Sequence, residues 1–445
     1  MILSNNYYLT NIRIATPIIF SFAGQSLVQI IDSIMVGRLG AQPLAAVSLS
    51  TAIITNVMMF GIGISIALTP FIGDAWSKGK HKIASDYFTN SFIINIVSGT
   101  IISIALISLF PFINYLNQPQ EVLDITYNYY LLVSISIVPF MTFLAFKQFL
   151  EGVGNTKISM IITLLANAFN VVLNYILIYG KLGFSPMGID GAGVATLISR
   201  ITMPLLFYFA ITKHSKYKKY LYFIQLKSIS IKKQLELIKI GLPISGQMLL
   251  EFTSLSVITL MMGWFGAKAL AANQIIQTTI GFSFMISNGV AAAATILVSH
   301  QFGLGKIEEV KKNGFAAIHI SVIIMAIASI IFLFFGTEIA SIFTSDKEVI
   351  LIAKNIFLVV VFFEIFDGIQ VTTLGALRGI KDVNIVSFYA FTCYILIAIP
   401  FAYFLGVKLS FNEAGLFAGF GIGLLCASIL FTKRFVLKTG KIKEK

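Results

Sequence analysis

Ionisable side chains interrupt long apolar runs of this sequence at Asp32, Arg200, Glu251, Glu364 and Asp367. A charge held in hydrocarbon is costly, so each is a candidate for binding a cation, a proton or a charged solute. Asp32 follows Gln25 and Gln29 at a spacing of i, i+4, i+7, which places all three on one helix face. Glu251 makes the same pattern with Gln247 and Ser254. Glu364 and Asp367 lie one helical turn apart, and two carboxylates that close call for a bound cation or a shared proton. Asn167, Asn170 and Asn174 occupy another single face, and Thr196 adds a hydroxyl further on. Amide oxygens suit hard cations, and amide N–H groups can also hold an aspartate.

The competing reading is that these polar groups join helices by hydrogen bonds. It weighs most for the asparagines, Gln25 and Gln29. It weighs least for Asp32, Glu251 and Asp367, where an uncharged side chain would pack at lower cost. Arg200 reads as a partner for an acid or a carbonyl, His319 as structural, and His300 as solvated where it faces a cytoplasmic loop. Lys354 sits near the end of an apolar run and can reach water, so it receives no role. Pro17 removes a backbone hydrogen bond inside the first run and predicts a bend there, whereas Pro243 reads as standing near a helix start.

The elements that must position these residues are membrane helices. More than half of the 445 residues are apolar, about a tenth are charged, and the mean hydropathy is +0.89. A spanning helix needs roughly 20 apolar residues. Such runs recur here without the alternation of barrel strands. Twelve spans are predicted at 10–36, 44–72, 87–113, 122–147, 157–180, 190–212, 237–262, 269–298, 314–341, 348–374, 384–407 and 412–435. The start of the chain lacks a charged segment followed by a small-residue cleavage site, so the first span is expected to be retained. Both cysteines, Cys393 and Cys426, fall inside spans and indicate no disulfide framework.

The net charge of +13 is concentrated in two places. Lys213, Lys216, Lys218, Lys219, Lys227, Lys232 and Lys233 lie between spans six and seven, and Lys433, Arg434, Lys438, Lys441, Lys443 and Lys445 close the chain. The opposite loops carry Arg38, Lys181, Lys268, Lys347 and Lys408. This is the positive-inside pattern. It calls for no nucleic acid and predicts that both termini face the cytoplasm.

The chain also repeats itself at a spacing of about 226 residues. Pro17-Ile18 matches Pro243-Ile244, Gly37 matches Gly263, and Thr69 matches Thr295. Gly40-Ala41-x-x-Leu44-Ala45-Ala46 matches Gly266-Ala267-x-x-Leu270-Ala271-Ala272, and Gly79-Lys80 matches Gly305-Lys306. Leu150-x-Gly152 matches Leu377-x-Gly379, with the offset grown by one. Each half holds six spans, so the halves share one orientation, as parallel transporter repeats do. The predicted fold is therefore an all-α integral membrane protein with twelve transmembrane helices in two pseudo-symmetric six-helix lobes around a central cleft. The lobes are expected at 1–212 and 237–445, joined by a basic cytoplasmic linker at 213–236.

No Walker-type phosphate loop and no His/Cys metal spacing is present, so neither an enzyme nor an organic cofactor is expected. Uphill work would draw on an ion gradient, worth about 2.3 kcal/mol per charge per 100 mV.

Asp32-x-x-Met35-Val36-Gly37-Arg38-Leu39-Gly40 resembles the first-span signature of the multidrug and toxic compound extrusion (MATE) family. Gly152-x-Gly154-Asn155-Thr156, Asn170-x-x-x-Asn174-Tyr175 and Gly191-Ala192-x-x-Ala195-Thr196 extend the likeness. So do Leu270-Ala271-Ala272-x-Gln274, Phe366-Asp367-x-x-Gln370 and Gly375-Ala376-Leu377-Arg378-Gly379-x-Lys381-Asp382. The pair Glu251 and Asp367 resembles the NorM-type branch. The resemblance implies export of cationic or amphiphilic small molecules in exchange for Na⁺ or H⁺ by rocker-switch alternating access. It implies a cation or proton site at Asp32, Asn170, Asn174 and Thr196, and another at Glu251 and Asp367, with Glu364 able to contribute. Na⁺ is an expected occupant at Asp32 or at Glu251 and Asp367. Pro17 matches the proline where the first helix bends in some members.

Two positions depart from the pattern. Phe363 stands where some relatives have a tyrosine, and Asn174 stands where some have a second aspartate. Gln25, Gln29, Gln274, Gln277, Met58, Met59, Phe252 and Phe284 are expected to line the substrate cleft. The expected setting is a monomer in the bacterial inner membrane. The first rival is a lipid-linked oligosaccharide flippase, whose pyrophosphate cargo would favour a cationic cavity. This interior sets four acids against Arg200. A channel or receptor that moves nothing uphill is the second rival.

Overall fold

A computed structural model describes residues 3–116, 119–214, 217, 220 and 228–441. Lys216, Lys218, Lys219, Lys227, Lys443 and Lys445 lie outside the described residues. Among the described residues there are twelve helices long and apolar enough to span a membrane, and no strand. They are α1 (Asn5–Gly37), α2 (Ala41–Ser77), α3 (His81–Ile113), α4 (Gln120–Gly152), α5 (Thr156–Tyr179) and α6 (Gly188–Lys213). The second half supplies α7 (Ile231–Gly263), α8 (Ala267–Gly303), α9 (Ile307–Phe343), α10 (Lys347–Gly379), α11 (Asn384–Lys408) and α12 (Asn412–Lys441). Every predicted span falls on one of these helices, most of which run past the apolar core.

Proline chemistry explains the interruptions. Pro70 cannot donate to the carbonyl of Ile66 and crowds it, and α2 breaks at Ala67. Pro139 stands in the same relation to Ile135, and α4 breaks at Ser136. The corresponding helices of the second half, α8 and α10, lack these prolines and run unbroken. Pro243 lies well inside α7 and not near a helix start, because that helix already begins at Ile231. α1 runs as one helix through Pro17.

The chain packs as two units. One, the N-terminal unit, comprises Phe20–Ser245; the other, the C-terminal unit, comprises Gly246–Lys445 together with Met1–Ile19. The divisions fall inside α1 and α7, two residues after Pro17 and two after Pro243, at equivalent positions of the repeat. The N-terminal unit packs around Phe88, Phe143, Phe149, Tyr130 and Phe207. The C-terminal unit packs around Phe357, Tyr394, Phe417, Phe431 and Phe435. The described part of the basic segment is fastened to the N-terminal unit. Tyr217 and Tyr220 are buried, Asn90 bonds Ser228 and Ser230, and Lys233 pairs with Asp86.

The sequence repeat has a geometric counterpart inside each unit. Thr69 Oγ1 donates to the side-chain Oε1 of Gln148 at 2.5 Å, with the carbonyl of that residue 3.5 Å away, and Thr295 Oγ1 donates to the carbonyl of the matching Gly375 at 2.8 Å. A Cβ at Gly152 would meet Ile72 at 2.7 Å, and one at Gly379 would meet Val298 at 2.7 Å. The matched glycines and threonines therefore mark the same close helix crossing, made twice.

Among the described glycines the closest approach is on α12 against α11, where a Cβ at Gly419 would lie 2.1 Å from the backbone nitrogen of Ala402. Backbone cannot yield there, so Gly419→Ala is expected to cost about 3 kcal/mol or more. Gly246, also helical, has nothing within 4 Å of a built Cβ. Gly246→Ala is expected to be neutral or to stabilise by roughly 0.5 kcal/mol. Melting curves in detergent check the pair; equal melting temperatures would refute the packing argument.

Candidate functional site

In the N-terminal unit, α5 brings Asn170 and Asn174 to one face, as their spacing predicts. Asn174 Nδ2 donates to Asp32 Oδ1 at 2.5 Å and to Asn170 Oδ1 at 3.2 Å. Asn174 Oδ1 is buried without a partner among the described residues, and so is Asn167 Nδ2. An orphaned carbonyl oxygen beside a carboxylate can complete itself on a cation, so this donor set fits one. Thr196 lies on α6, partly buried, and its hydroxyl is in no side-chain hydrogen bond among the described residues. Gln25 and Gln29 are not hydrogen-bonded to Asp32. Met58 is partly buried on α2.

Arg200 is the basic group of this neighbourhood. Its Nη1 donates to Ser136 Oγ at 2.9 Å, and its guanidinium stacks 4.9 Å from the Phe140 ring centroid. Ser136 is the residue at which α4 breaks, so Pro139 indirectly sets this contact. Asp32 lies within electrostatic reach of Arg200.

The C-terminal unit gathers its acids around a cavity of about 180 Å³. Glu251 from α7 and Glu364 and Asp367 from α10 face it, beside Phe252, Phe284, Phe363 and Phe420. Glu251 and Glu364 are buried. Gln277 also lines this cavity and donates to Thr259 Oγ1 at 2.8 Å. The structure therefore brings Gln277, Phe252 and Phe284 to the acids. Gln274 is instead exposed, with its amide near Thr278 Oγ1 at 3.4 Å.

Hydrogen bonds fix the acids. Gln247 Nε2 donates to Glu251 Oε2 at 2.8 Å, one helical turn away on α7. Gln370 Nε2 donates to Glu251 Oε1 at 3.2 Å and to Asp367 Oδ1 at 3.0 Å. Ser283 Oγ donates to Glu364 Oε1. Behind the two glutamines stand Arg378 and Tyr394, bonded to Gln247 and Gln370. Sequence reasoning gave these two no role. Arg378 lay beyond the predicted end of span ten. Tyr394 sits in a π-helical stretch, Phe391–Ala398, ahead of Pro400, whose missing N–H cannot bond Leu396. Among the described residues, no three His, Cys, Asp or Glu side chains are arranged as a metal cage.

His319 pairs with Tyr8, Nδ1 to hydroxyl at 3.0 Å, which is the structural use its position suggested.

The model of the MatE family matches residues 17–176 and again residues 243–404. The chain belongs to the MATE family. The two matches begin at Pro17 and Pro243, the register of the internal repeat. This is a family of multi-pass membrane transporters and not of enzymes. The chain is similar to a probable multidrug resistance protein NorM of Bacillus licheniformis, 27% identical over 94% of this chain and 93% of that protein. It is similar to a protein of the same description in Bacillus thuringiensis, 30% identical over 88% of this chain and 87% of that one. Among solved structures it resembles an outward-facing multidrug resistance MATE family transporter, with a TM-score of 0.90 at 19% identity over 99% and 97% of the two chains. It also resembles a eukaryotic MATE transporter, with a TM-score of 0.86 at 18% identity over 97% and 96%. At those identities the structures speak for the fold alone. The MATE fold thus carries, in this chain, a polar site in each unit, both seeded by residues that break the apolar pattern.

Proposed function

We propose that this MATE protein is a secondary antiporter that exports cationic, amphiphilic small molecules in exchange for an inward cation, H⁺ or Na⁺, by rocker-switch alternating access. The observation that carries this reading is the aromatic cavity with Glu251, Glu364 and Asp367 in its wall. An anionic, phenylalanine-lined pocket attracts a cation through both the carboxylates and the ring faces. A pyrophosphate-linked sugar would meet three carboxylates there, which disfavours the flippase reading. The relatives' description as multidrug resistance proteins supports the same cargo class.

The cavity volume bounds what enters. A dry cavity of about 150 Å³ holds a benzene molecule, whereas a drug-sized ligand needs roughly 300 Å³ or more. A cavity of about 180 Å³ suits one ring or one quaternary ammonium head. Export requires that the acids hold the head when ionised and release it when a coupling cation neutralises them. In the N-terminal unit, Asp32 and Asn174 offer oxygens for the same exchange. The protein works as a monomer in the bacterial inner membrane with both termini in the cytoplasm. That orientation follows from the basic residues after α6 and in α12.

The test is uphill transport. Reconstituted protein, given an inward proton or Na⁺ gradient, is expected to drive N-methylpyridinium-headed dyes against their own gradient. Movement that stops at equilibrium under every imposed gradient would favour a channel and overturn the reading.

A further inference from the structure

Both carboxylate oxygens of Glu251 are occupied by amide nitrogens, Oε2 by Gln247 and Oε1 by Gln370. Which end of each amide faces the acid is decided one step further out. Arg378 Nη2 donates to Gln247 Oε1 at 2.8 Å. A guanidinium has donors only, so Gln247 must turn its oxygen to Arg378 and its nitrogen to Glu251. Gln370 Nε2 serves Glu251 and Asp367 together, as two acceptor-only carboxylates require, and the hydroxyl of Tyr394 donates to the remaining Gln370 Oε1 at 2.9 Å. Gln247 and Gln370 are almost fully buried, so no water competes for these orientations. Arg378 Nε stays buried without an acceptor among the described residues.

A hard cation needs oxygen ligands. Here one N–H dipole points at each oxygen of Glu251 and one at Asp367 Oδ1, and each presents a positive end to any ion that approaches there. A proton makes a different demand, because it needs a single lone pair, and Asp367 Oδ2 and Glu364 Oε2 accept no bond among the described residues, whereas two such oxygens fall short of the several ligands a hard cation takes. An organic cation needs no inner coordination shell at all. We infer that the acid cluster of the C-terminal unit takes no Na⁺, and that Arg378 enforces this at Gln247, and Tyr394 supports it at Gln370, by holding both amides with their nitrogens inward. This does not fit Na⁺ at Glu251 and Asp367, the occupancy expected for one of the two sites. Arg378 and Tyr394 are positioning residues for selectivity. The inference rests on the reading of these acids as the coupling site, but its readout is binding and not transport.

Equilibrium binding of radioactive sodium to the purified full chain tests it, in an Asp32→Asn background that silences the other site. No saturable binding is expected in that background, nor after Arg378→Lys, since lysine is also a donor-only group. Arg378→Gln frees Gln247 to turn its oxygen toward Glu251, so saturable binding is expected to appear, at least about tenfold tighter than in the parent. It is expected to vanish again with Glu251→Gln. Tyr394→Phe offers the same release at Gln370 should Arg378→Gln fail to give monodisperse protein. Saturable sodium binding in the Asp32→Asn protein that Glu251→Gln removes would overturn the inference. So would an absence of sodium binding in folded Arg378→Gln and Tyr394→Phe proteins. Should Asp32→Asn itself not fold, the wild type and Glu251→Gln are expected to bind equal amounts of sodium; a lower amount in Glu251→Gln would sink the idea. A protein that passes this test but moves no cation uphill would refute the transport reading and leave the selectivity argument standing.

Discussion

Asp367→Asn is expected to abolish uphill export of an organic cation while leaving the fold intact. The substitution is clean because Asp367 Oδ1 accepts one bond, from Gln370, and an asparagine oxygen accepts the same bond. What is lost is the charge. A unit charge pair at about 4 Å is worth roughly 4 kcal/mol at an effective dielectric of about 20, against about 1 kcal/mol in bulk water. In the phenylalanine-lined cavity the loss should approach the larger figure, roughly two to three orders of magnitude in affinity. Glu251→Gln is a less clean probe, because both of its oxygens accept amide N–H donors and a glutamine would set N–H against N–H.

The pH dependence follows with a definite sign. On the proposed antiport reading the head group binds the ionised acids, so each proton bound removes one attracting charge. Equilibrium binding of a permanently charged cation to the wild-type protein should therefore weaken as pH falls. In the Asp367→Asn protein the same titration should be shallower, because one of the titrating groups is gone. The checks are dye binding by fluorescence anisotropy and efflux from proteoliposomes, with melting temperature as control. Export at the wild-type rate in a stably folded Asp367→Asn protein would remove this cavity from the mechanism.

The residues themselves announce some of this and hide the rest. The twelve helices are legible because each carries an apolar run long enough to span, and nothing but helix satisfies its backbone there. Their ends are less legible. α7 begins at Ile231, where Lys232 and Lys233 mask the start of the helix from a hydropathy reading, and that concealment made Pro243 look terminal. The breaks at Ala67 and Ser136 were available from Pro70 and Pro139, each four residues after the carbonyl it orphans. Asp32, Asn170 and Asn174 meet because helical spacing and one helix pairing suffice to join them. Glu251 and Asp367 stand out as charges in apolar runs, but the residues that orient them do not. Arg378 ends its helix like any basic cap, and Tyr394 is one tyrosine among sixteen. Their roles depend on which helix packs where and, for Tyr394, on a local π-helical register that no hydrophobic pattern encodes.

The same limit hid a second ionic feature, and its expected effect on stability is large. Lys147 and Glu151 lie on α4, each only 4% exposed, with Nζ 3.9 Å from Oε1. Ser159 Oγ donates to that same oxygen at 3.2 Å, and Lys147 Nζ sits 4.9 Å from the Phe22 ring centroid. The repeat makes the arrangement informative, since Leu150-x-Gly152 matches Leu377-x-Gly379 and so Glu151 is the counterpart of Arg378. One repeat position thus holds an acid in the N-terminal unit and a base in the C-terminal unit. Arg378 has Leu374 four residues before it and finds its partner on α7, in Gln247. Glu151 has Lys147 four residues before it, and the charge is compensated within one helix, without recourse to the Asp32 site. The pair should accordingly be structural. Removing one member leaves a buried charge uncompensated, which typically costs 3–5 kcal/mol, whereas replacing both by apolar residues of similar size is often near neutral. Glu151→Met is therefore expected to lose about 3 kcal/mol or more, and Lys147→Met a similar amount. The Lys147→Met, Glu151→Met double variant should recover most of that loss and still export. Melting curves of the four proteins form a double-mutant cycle that measures the coupling directly. Additive losses would show that the two charges do not compensate each other. A double variant that is stable but unable to export would give the pair a part in transport that its closed, single-helix geometry does not predict.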